Sequence, residues 1–297
     1  MSEADPSPTL VVLAAGRARR YGGVKPLAPV GASGEAVIDL LASDALAAGF
    51  RTIVLVISPA TGPAIRYHVE HTWPRAVDVR FAEQEAALGT VHAVLCASDA
   101  LDPDQAVGVG NADDLYGRPA LELLAGHLGG GAGHNALVGF RLRDVVLGSA
   151  PVTRGVCGID QRGFLTSIVE RRQVFALGDD RFVSKDGSSP DELPGDSLVS
   201  MNLWAFTPTM RELFGHTMEA ARHASEDAEL LLPEVVAQHL SVPGPGAEAG
   251  GPSFQVLAAS GRCLGVTHPD DLAIVQAELA REVGAGERPA ALWSALG

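Results

Sequence analysis

Between Leu10 and Val30 the chain reads LVVLAAGRARRYGGVKPLAPV. An apolar run stops at Ala14, Ala15 and Gly16. Arg17, Arg19, Arg20 and Lys25 then follow on a stretch that also holds Gly22 and Gly23. Glycines let backbone N–H groups approach phosphate oxygens, and Arg and Lys supply charge that persists at neutral pH. The stretch is therefore a phosphate cradle or a solvated basic loop, with similar weight on each. It is not a P-loop, because Lys25 follows Val24 and precedes Pro26, and GRARRYGG lacks the GxGxxG of a dinucleotide fingerprint. Further on, Asp113 and Asp114 in GNADDLYG follow the apolar run AVGVG. Two carboxylates at the carboxyl end of a strand suit a hard divalent cation that bridges to a phosphate. Alone, the pair reads more readily as an Asx-capped turn before a helix. Set beside a cationic loop on the same sheet edge, it points to phosphoryl or nucleotidyl transfer.

The cations stand out because the chain is acidic. Its 297 residues carry 22 Lys plus Arg against 36 Asp plus Glu, a formal net charge of −14. Nucleic acid is thereby disfavoured as a partner, since backbone phosphates need clustered cations. The leading MSEADPSP has neither a basic n-region nor an apolar h-region, and no apolar run approaches the ~20 residues that span a bilayer. Cys96, Cys157 and Cys263 are scattered without CxxC spacing. These features lead us to expect free thiols and a cytoplasmic protein with no membrane contact.

The elements that would position these residues alternate from the start. Strands are expected at 9–15, 52–58, 77–82 and 106–110, with helices at 35–50, 62–73 and 89–99 between them. Val- and Ile-rich runs in this β-α-β rhythm imply a parallel sheet covered on both faces, with ligands at its carboxyl edge. Strand-like runs then follow at 136–142, 154–160, 165–171 and 197–206 with little helix between them, as in a smaller mixed or antiparallel layer. The polar, turn-rich 173–197 reads as a hairpin or lid. Helices are expected at 208–223, 227–240 and 270–283, with a surface loop at 244–252.

Five ordered segments carry a family resemblance. LAAGRARRYGGVKPLAPVG resembles the signature loop of the sugar-1-phosphate nucleotidyltransferases, the glucose-1-phosphate uridylyl- and thymidylyltransferase family. EQEAALGTVHAVL (83–95) resembles their base-binding segment, and NADDLYG (111–117) their metal-aspartate turn. RGVCGIDQRGFLTSIVER (154–171) and VSMNLWAF (199–206) resemble their sugar-binding strands. The resemblance covers essentially the whole chain. It implies an α/β fold of the nucleotide-diphospho-sugar transferase type (GT-A-like, Rossmann-type), with a mostly parallel central sheet flanked by helices and a smaller mixed or antiparallel layer. It implies one domain over 1–297: a nucleotide-binding half to 130, a sugar-phosphate half over 131–245 with the lid at 173–197, and a terminal strand-helix segment over 246–297.

Carried over by position, the resemblance implies nucleotide contacts at Ala14, Ala15, Gly16, Gln84 and Gly89. It makes Arg20 and Lys25 the catalytic cations on the phosphates. It places Gly155, Glu170, Arg171 and Asn202 on the sugar-phosphate side, and Mg²⁺ on Asp113 with Glu234 as the second carboxylate. The implied reaction transfers a nucleotidyl group from an NTP to a sugar 1-phosphate, giving an NDP-sugar and pyrophosphate. Ala18 and Arg19 depart from the family's Gly and Ser/Thr, which leaves open a non-catalytic nucleotide or sugar-phosphate sensor on the same fold. A cyclitol, alditol or amino-alcohol phosphate as acceptor is also left open, as is assembly into a homo-oligomer.

Other residues read more plainly. His68 and His71 are surface histidines without a third ligand nearby, His92 is helix packing, and Trp204 is core. Glu226, Asp227 and Glu229 read as a solvated helix N-terminus.

Overall fold

The computed structural model describes residues 8–16, 23–131, 133–148, 150–240, 252–265, 271–293 and 296. The first four strands are β1 (Thr9–Leu13), β2 (Thr52–Ile57), β3 (Asp78–Glu83) and β4 (Val107–Asn111). They pair in parallel in the order β3-β2-β1-β4. The crossovers are α1 (Val37–Ala47), α2 (Gly62–Thr72) and α3 (Gly89–Cys96). All six residues of β2 are buried, as a strand covered on both faces requires. Alternation along β1 sends Leu10 and Val12 to one core and Val11 to the other. Gly108 and Gly110 in β4 leave room for Phe50 and Tyr116, each of which lies about where a Cβ would crowd it.

Beyond β4 come the two-residue β5 (Asp114–Leu115) and α4 (Arg118–Gly129). The helix α4 falls where the sequence periodicity leads to no expected helix. It is framed by Gly117 in a left-handed conformation and Pro119, and Gly126 and Gly129 lower its propensity. The remaining strands are β6 (Asn135–Arg141), β7 (Val152–Ile159), β8 (Leu165–Gly178), β9 (Arg181–Ser184), β10 (Glu192–Pro194), β11 (Leu198–Phe206), β12 (Phe254–Ala258) and β13 (Leu264–Gly265). β11 runs antiparallel to β4, β6 and β7, and β7 through β10 continue antiparallel at the far side. Most of the antiparallel strands thus join the parallel ones edge to edge, while β5 and β13 form a separate two-stranded antiparallel sheet. The helices α5 (Pro208–Ala224), α6 (Leu232–His239) and α7 (Asp271–Gly284) complete the chain. Among the described residues no helix is long and apolar enough to cross a membrane.

Trp204 is fully buried against Phe206 and Phe254, as core. His68 Nε2 lies 2.8 Å from Asp39, which also accepts from Trp73 Nε1 and from the Ala36 backbone at the start of α1. That histidine pins α2 to α1. The polar 173–197 segment forms the end of β8 and the β9 and β10 strands. A buried guanidinium clamps it: Arg171 donates to Asp186 at 3.1 Å and to the carbonyls of Ser188 and Pro190.

Two charged contacts lead to predictions. Arg288 lies 2.8 Å from Asp44 and 2.9 Å from Glu282, tying the segment after α7 to α1. Burial pushes the Asp44 carboxyl up against the pull of Arg288. Burial opposes the charge of Arg288 too, but its two carboxylate partners outweigh it. The acid therefore bears the desolvation, and Arg288→Ala strands it. We expect a loss of about 3 kcal/mol by urea unfolding, partly recovered when Asp44→Ala is added. Asp186 is held well below the usual carboxylate range by the backbone N–H groups of Arg172 and Ser188, with Arg171 adding to them. A depressed carboxyl contributes stability above its unfolded pKa, about 4, and loses it as pH falls below that. The urea midpoint should therefore drop between pH 5 and 3, and drop less in Asp186→Asn.

Candidate functional site

The register of the parallel strands gathers the site. Leu13 is level with Val56 and with Asn111, and Ile57 is level with Glu83. The chain segments that leave these strands, at Ala14–Gly16, Ser58, Gln84 and Ala112–Asp113, therefore emerge at one edge of the sheet. There they line a cleft of about 510 Å³ whose walls include Gly16, Gln84, Gly89, Asp113 and Glu229. A side recess of about 140 Å³ is lined by Gly16, Lys25 and Asp113 among others.

Lys25 opens a single 3₁₀ turn, Lys25–Leu27, in which Pro26 fixes the backbone and is buried. Its Nζ lies 3.0 Å from Asp113 Oδ2 across 88 residues of sequence. Asp113 sits on the turn after β4, which Ala112 N anchors on the Leu13 carbonyl at 3.2 Å. Below it the Tyr116 hydroxyl accepts from Asn111 N at 2.7 Å and donates to the Met201 carbonyl at 3.1 Å. Asn111 Nδ2 donates to Asp114 at 2.9 Å. Burial, and then the neighbouring Asp113, pushes Asp114 up to about 7. Asp114 is thus the poorer anion of the two, and Asp113 is the carboxylate that lines the cleft. Arg20 lies outside the described residues, as do Arg17, Ala18 and Arg19.

On the opposite wall, Ala14 is held by its N–H on the Val56 carbonyl and by Thr61 Oγ1 on its own carbonyl. Ala15 and Gly16 line the cleft beyond it. Gln84 is buried, and its Nε2 lies 3.0 Å from the Gly89 carbonyl and 3.2 Å from His92 Nδ1. A carbonyl only accepts, so that contact fixes the orientation of the amide. The His92 Nδ1 facing the same NH₂ must then carry a lone pair. Burial lowers the His92 pKa and so favours this neutral ring. Both amide hydrogens being engaged, Gln84 has its Oε1 left to present to the cleft. Gly89 has φ +89°, and a Cβ there would collide with the Leu230 backbone. That close approach is stitched by Val91 N on the Leu230 carbonyl, Leu230 N on the Leu88 carbonyl and Leu232 N on Thr90 Oγ1. It explains why α6 begins only at Leu232: the residues before it run along the start of α3. It also brings Glu229 to the cleft. Glu234 is exposed on the first turn of α6 and does not line the cleft. The carboxylate this stretch brings to the cleft is Glu229, which from sequence alone reads as a solvated helix end.

The other expected residues lie along β7, β8 and β11. Asn202 has φ +59° at the irregularity between Ser200 and Trp204, and its Oδ1 accepts from Trp204 Nε1 at 3.2 Å. Trp204 pairs with Val109, so Asn202 falls level with Asn111 at the site's edge. Gly155 pairs with Ser200 on one side and Glu170 on the other. Arg171 does not join Glu170. Strand alternation turns it to the opposite face, where it is only 4% exposed and bound to Asp186, Ser188 and Pro190.

The donor set bears on a metal. Asp113 and Glu229 offer the oxygen ligands that divalent cations prefer. Among the described residues no group of three or more His, Cys, Asp or Glu is placed to hold an ion. A cation held by these two carboxylates would need substrate oxygens and water to complete its coordination.

No curated protein matches the chain in sequence. Among solved structures the chain resembles HddC from Yersinia pseudotuberculosis complexed with GMP-PN, at 17% identity and TM-score 0.62, over 91% of this chain and 99% of that one. It also resembles the inositol-1-phosphate CTP transferase from T. maritima, at 14% identity and TM-score 0.63, over 94% of this chain and 97% of that one. At such identities the likeness is one of fold. Residues 10–138, which supply Lys25, Gln84, Gly89 and Asp113, match the model of the MobA-like NTP transferase domain.

Proposed function

We propose that this protein transfers a nucleotidyl group from an NTP to a sugar or cyclitol phosphate and releases pyrophosphate. The observation that carries this reading is the meeting of Lys25 and Asp113 at 3.0 Å in the recess at the carboxyl edge of the sheet, with Asp113 also lining the adjoining cleft that holds Gln84 and Glu229. The match of residues 10–138 to an NTP transferase domain supports it, as do the solved relatives named for a CTP transferase and for a GMP-PN complex.

In this reading the base lies against Gln84 and Gly89, and Gln84 Oε1 accepts a hydrogen bond from a donor on the base edge. The nucleoside packs along Ala14, Ala15 and Gly16. Lys25 binds phosphate oxygens, and Arg20 is assigned the charge that develops at the transferring phosphorus. Asp113 and Glu229 would hold a divalent cation, Mg²⁺ in our assignment, which when bound neutralises the triphosphate. Asn202, Gly155 and Glu170 form the acceptor side. The acceptor phosphate is already ionised at neutral pH, so it needs no general base. Catalysis is alignment and charge neutralisation.

The deciding experiment is a pyrophosphate-release assay across four NTPs, each with a panel of sugar 1-phosphates and inositol 1-phosphate. Release with at least one pair is expected. Silence on every pair, with NTP binding retained in calorimetry, would leave a nucleotide-binding protein instead. Asp113→Ala should lower the rate by about 10²–10³, the scale of one lost charge-stabilising contact, without lowering the melting temperature. Near-normal release from that variant would remove Asp113 from the site. Gln84→Leu should weaken NTP binding about tenfold, the value of one hydrogen bond near 1.4 kcal/mol, while leaving the acceptor KM unchanged.

A further inference from the structure

We infer that the cation receiving the acceptor's phosphate is Arg172, carried on the cleft-side face of β8 and steadied by Glu170. The inference rests on the transfer reading above and names its anion site. It begins with which face of β8 continues the cleft. Cross-strand pairs share a face, and β7 and β8 pair Cys157 with Ile168 and Gly155 with Glu170. Cys157 and Ile168 pack on the core that also receives Leu13 and Leu230. Leu13 lines the cleft, and Leu230 lies between two residues that do. Ile168 and Glu170 are therefore on the cleft side of the sheet; the register shifts just beyond, between Val152 and Arg154, and it is the bond from Arg172 Nε to Glu170 that keeps Arg172 beside them. Val156, which pairs with Val169, packs against the opposite core, so Val169 and Arg171 face away.

The level along the strand also fits. Val199 pairs with Val156 and Ser200 with Gly155, so Asn202 falls level with Thr153, and the β7–β8 register carries that level on to about Arg172. Two strand spacings, about 10 Å, separate β8 from β11. A small acceptor spans that distance with its hydroxyls towards Asn202 and Glu170.

The side chains differ in what they have left to give. Arg171 is 4% exposed and spends its Nε and Nη2 on Asp186 and two carbonyls. Turning it into the cleft would undo the clamp on the hairpin. Arg172 is 72% exposed, and its bond to Glu170 uses Nε at 2.7 Å. Its terminal nitrogens remain in the fork geometry that binds phosphate through two parallel hydrogen bonds. Its backbone is pinned on both sides, with N donating to Asp186 at 2.9 Å and O accepting from Ser184 Oγ at 2.7 Å. The direction of the side chain is thus set by the same carboxylate that withdraws Arg171.

Two measurements test this. The first titrates glucose 1-phosphate and inositol 1-phosphate into the intact protein and follows arginine Nε–Hε resonances, with Arg172 identified by its absence in Arg172→Gln. The Arg172 signal should move with at least one of them and the Arg171 signal should not. Movement of Arg171 alone, or of neither, overturns the inference, and this holds even if no NTP is turned over. The second compares variants by pyrophosphate release. Arg172→Gln should raise the acceptor KM at least tenfold with NTP affinity unchanged, and Arg172→Lys should restore part of it. An unchanged acceptor KM would overturn the assignment while leaving the transfer reading in place.

Discussion

The register between β1 and β4 is the constraint on which the site depends. Parallel pairing holds Leu13 level with Asn111, and the Ala112 N–H then reaches back to the Leu13 carbonyl. The loops that carry Lys25 and Asp113 thereby leave the sheet side by side. A slip of one residue would swap the faces of β4 and turn Val109 out of the core. The ion pair is not what holds the fold: both side chains are mostly covered, and the attraction is offset by the cost of desolvating the two charges. Opposite charges kept adjacent in a cleft instead mark a place where a ligand carrying both charges, an anion with its cation, can divide them.

Around that pair the structure spends its hydrogen bonds on position. Tyr116 bridges the end of β4 to the Met201 carbonyl beside Asn202, so the turn that carries Asp113 and the strand that carries Asn202 share one buried hydroxyl. Burial raises the pKa of that phenol far above its ordinary value, which keeps it a neutral donor and acceptor. On the other wall, the backbone bonds between Leu88–Val91 and Leu230 make the start of α3 and the approach to α6 one unit. The left-handed glycine at 89 is what allows that contact, and Glu229 is carried to the cleft by it. Each wall thus joins residues from both ends of the chain.

The fold was legible because buried parallel strands and the helices between them announce themselves in apolar runs. β1 to β4, α1 to α3 and β11 stand within a few residues of where periodicity puts them. The cleft's first wall was legible for the same reason, since loops after such strands share an edge. What escaped depended on contacts distant in sequence. Glu229 reads as a helix end until the Leu88–Leu230 bonds are known, for nothing local says that residues 228–231 stay out of the helix that follows. The helix α4 hid behind glycines and a proline that mark turns as readily as helix ends. A glutamine amide by its type can both give and accept. Only the Gly89 carbonyl and the His92 nitrogen show that its donors are spent.

The same limit governs Glu170, Arg171 and Arg172. A motif read along the sequence treats neighbours as neighbours in space, but in a strand consecutive side chains part to opposite faces. Of two adjacent arginines, one is held on the far side of β8 by Asp186 and the other beside Glu170 on the cleft side. The hairpin beyond then makes the assignment irreversible by binding Arg171 through Asp186 and two carbonyls. Asp186 also accepts from the Arg172 backbone, so one carboxylate both retires the inner guanidinium and aims the outer one. The polar stretch after β8 thus matters to the site through the strand it fixes.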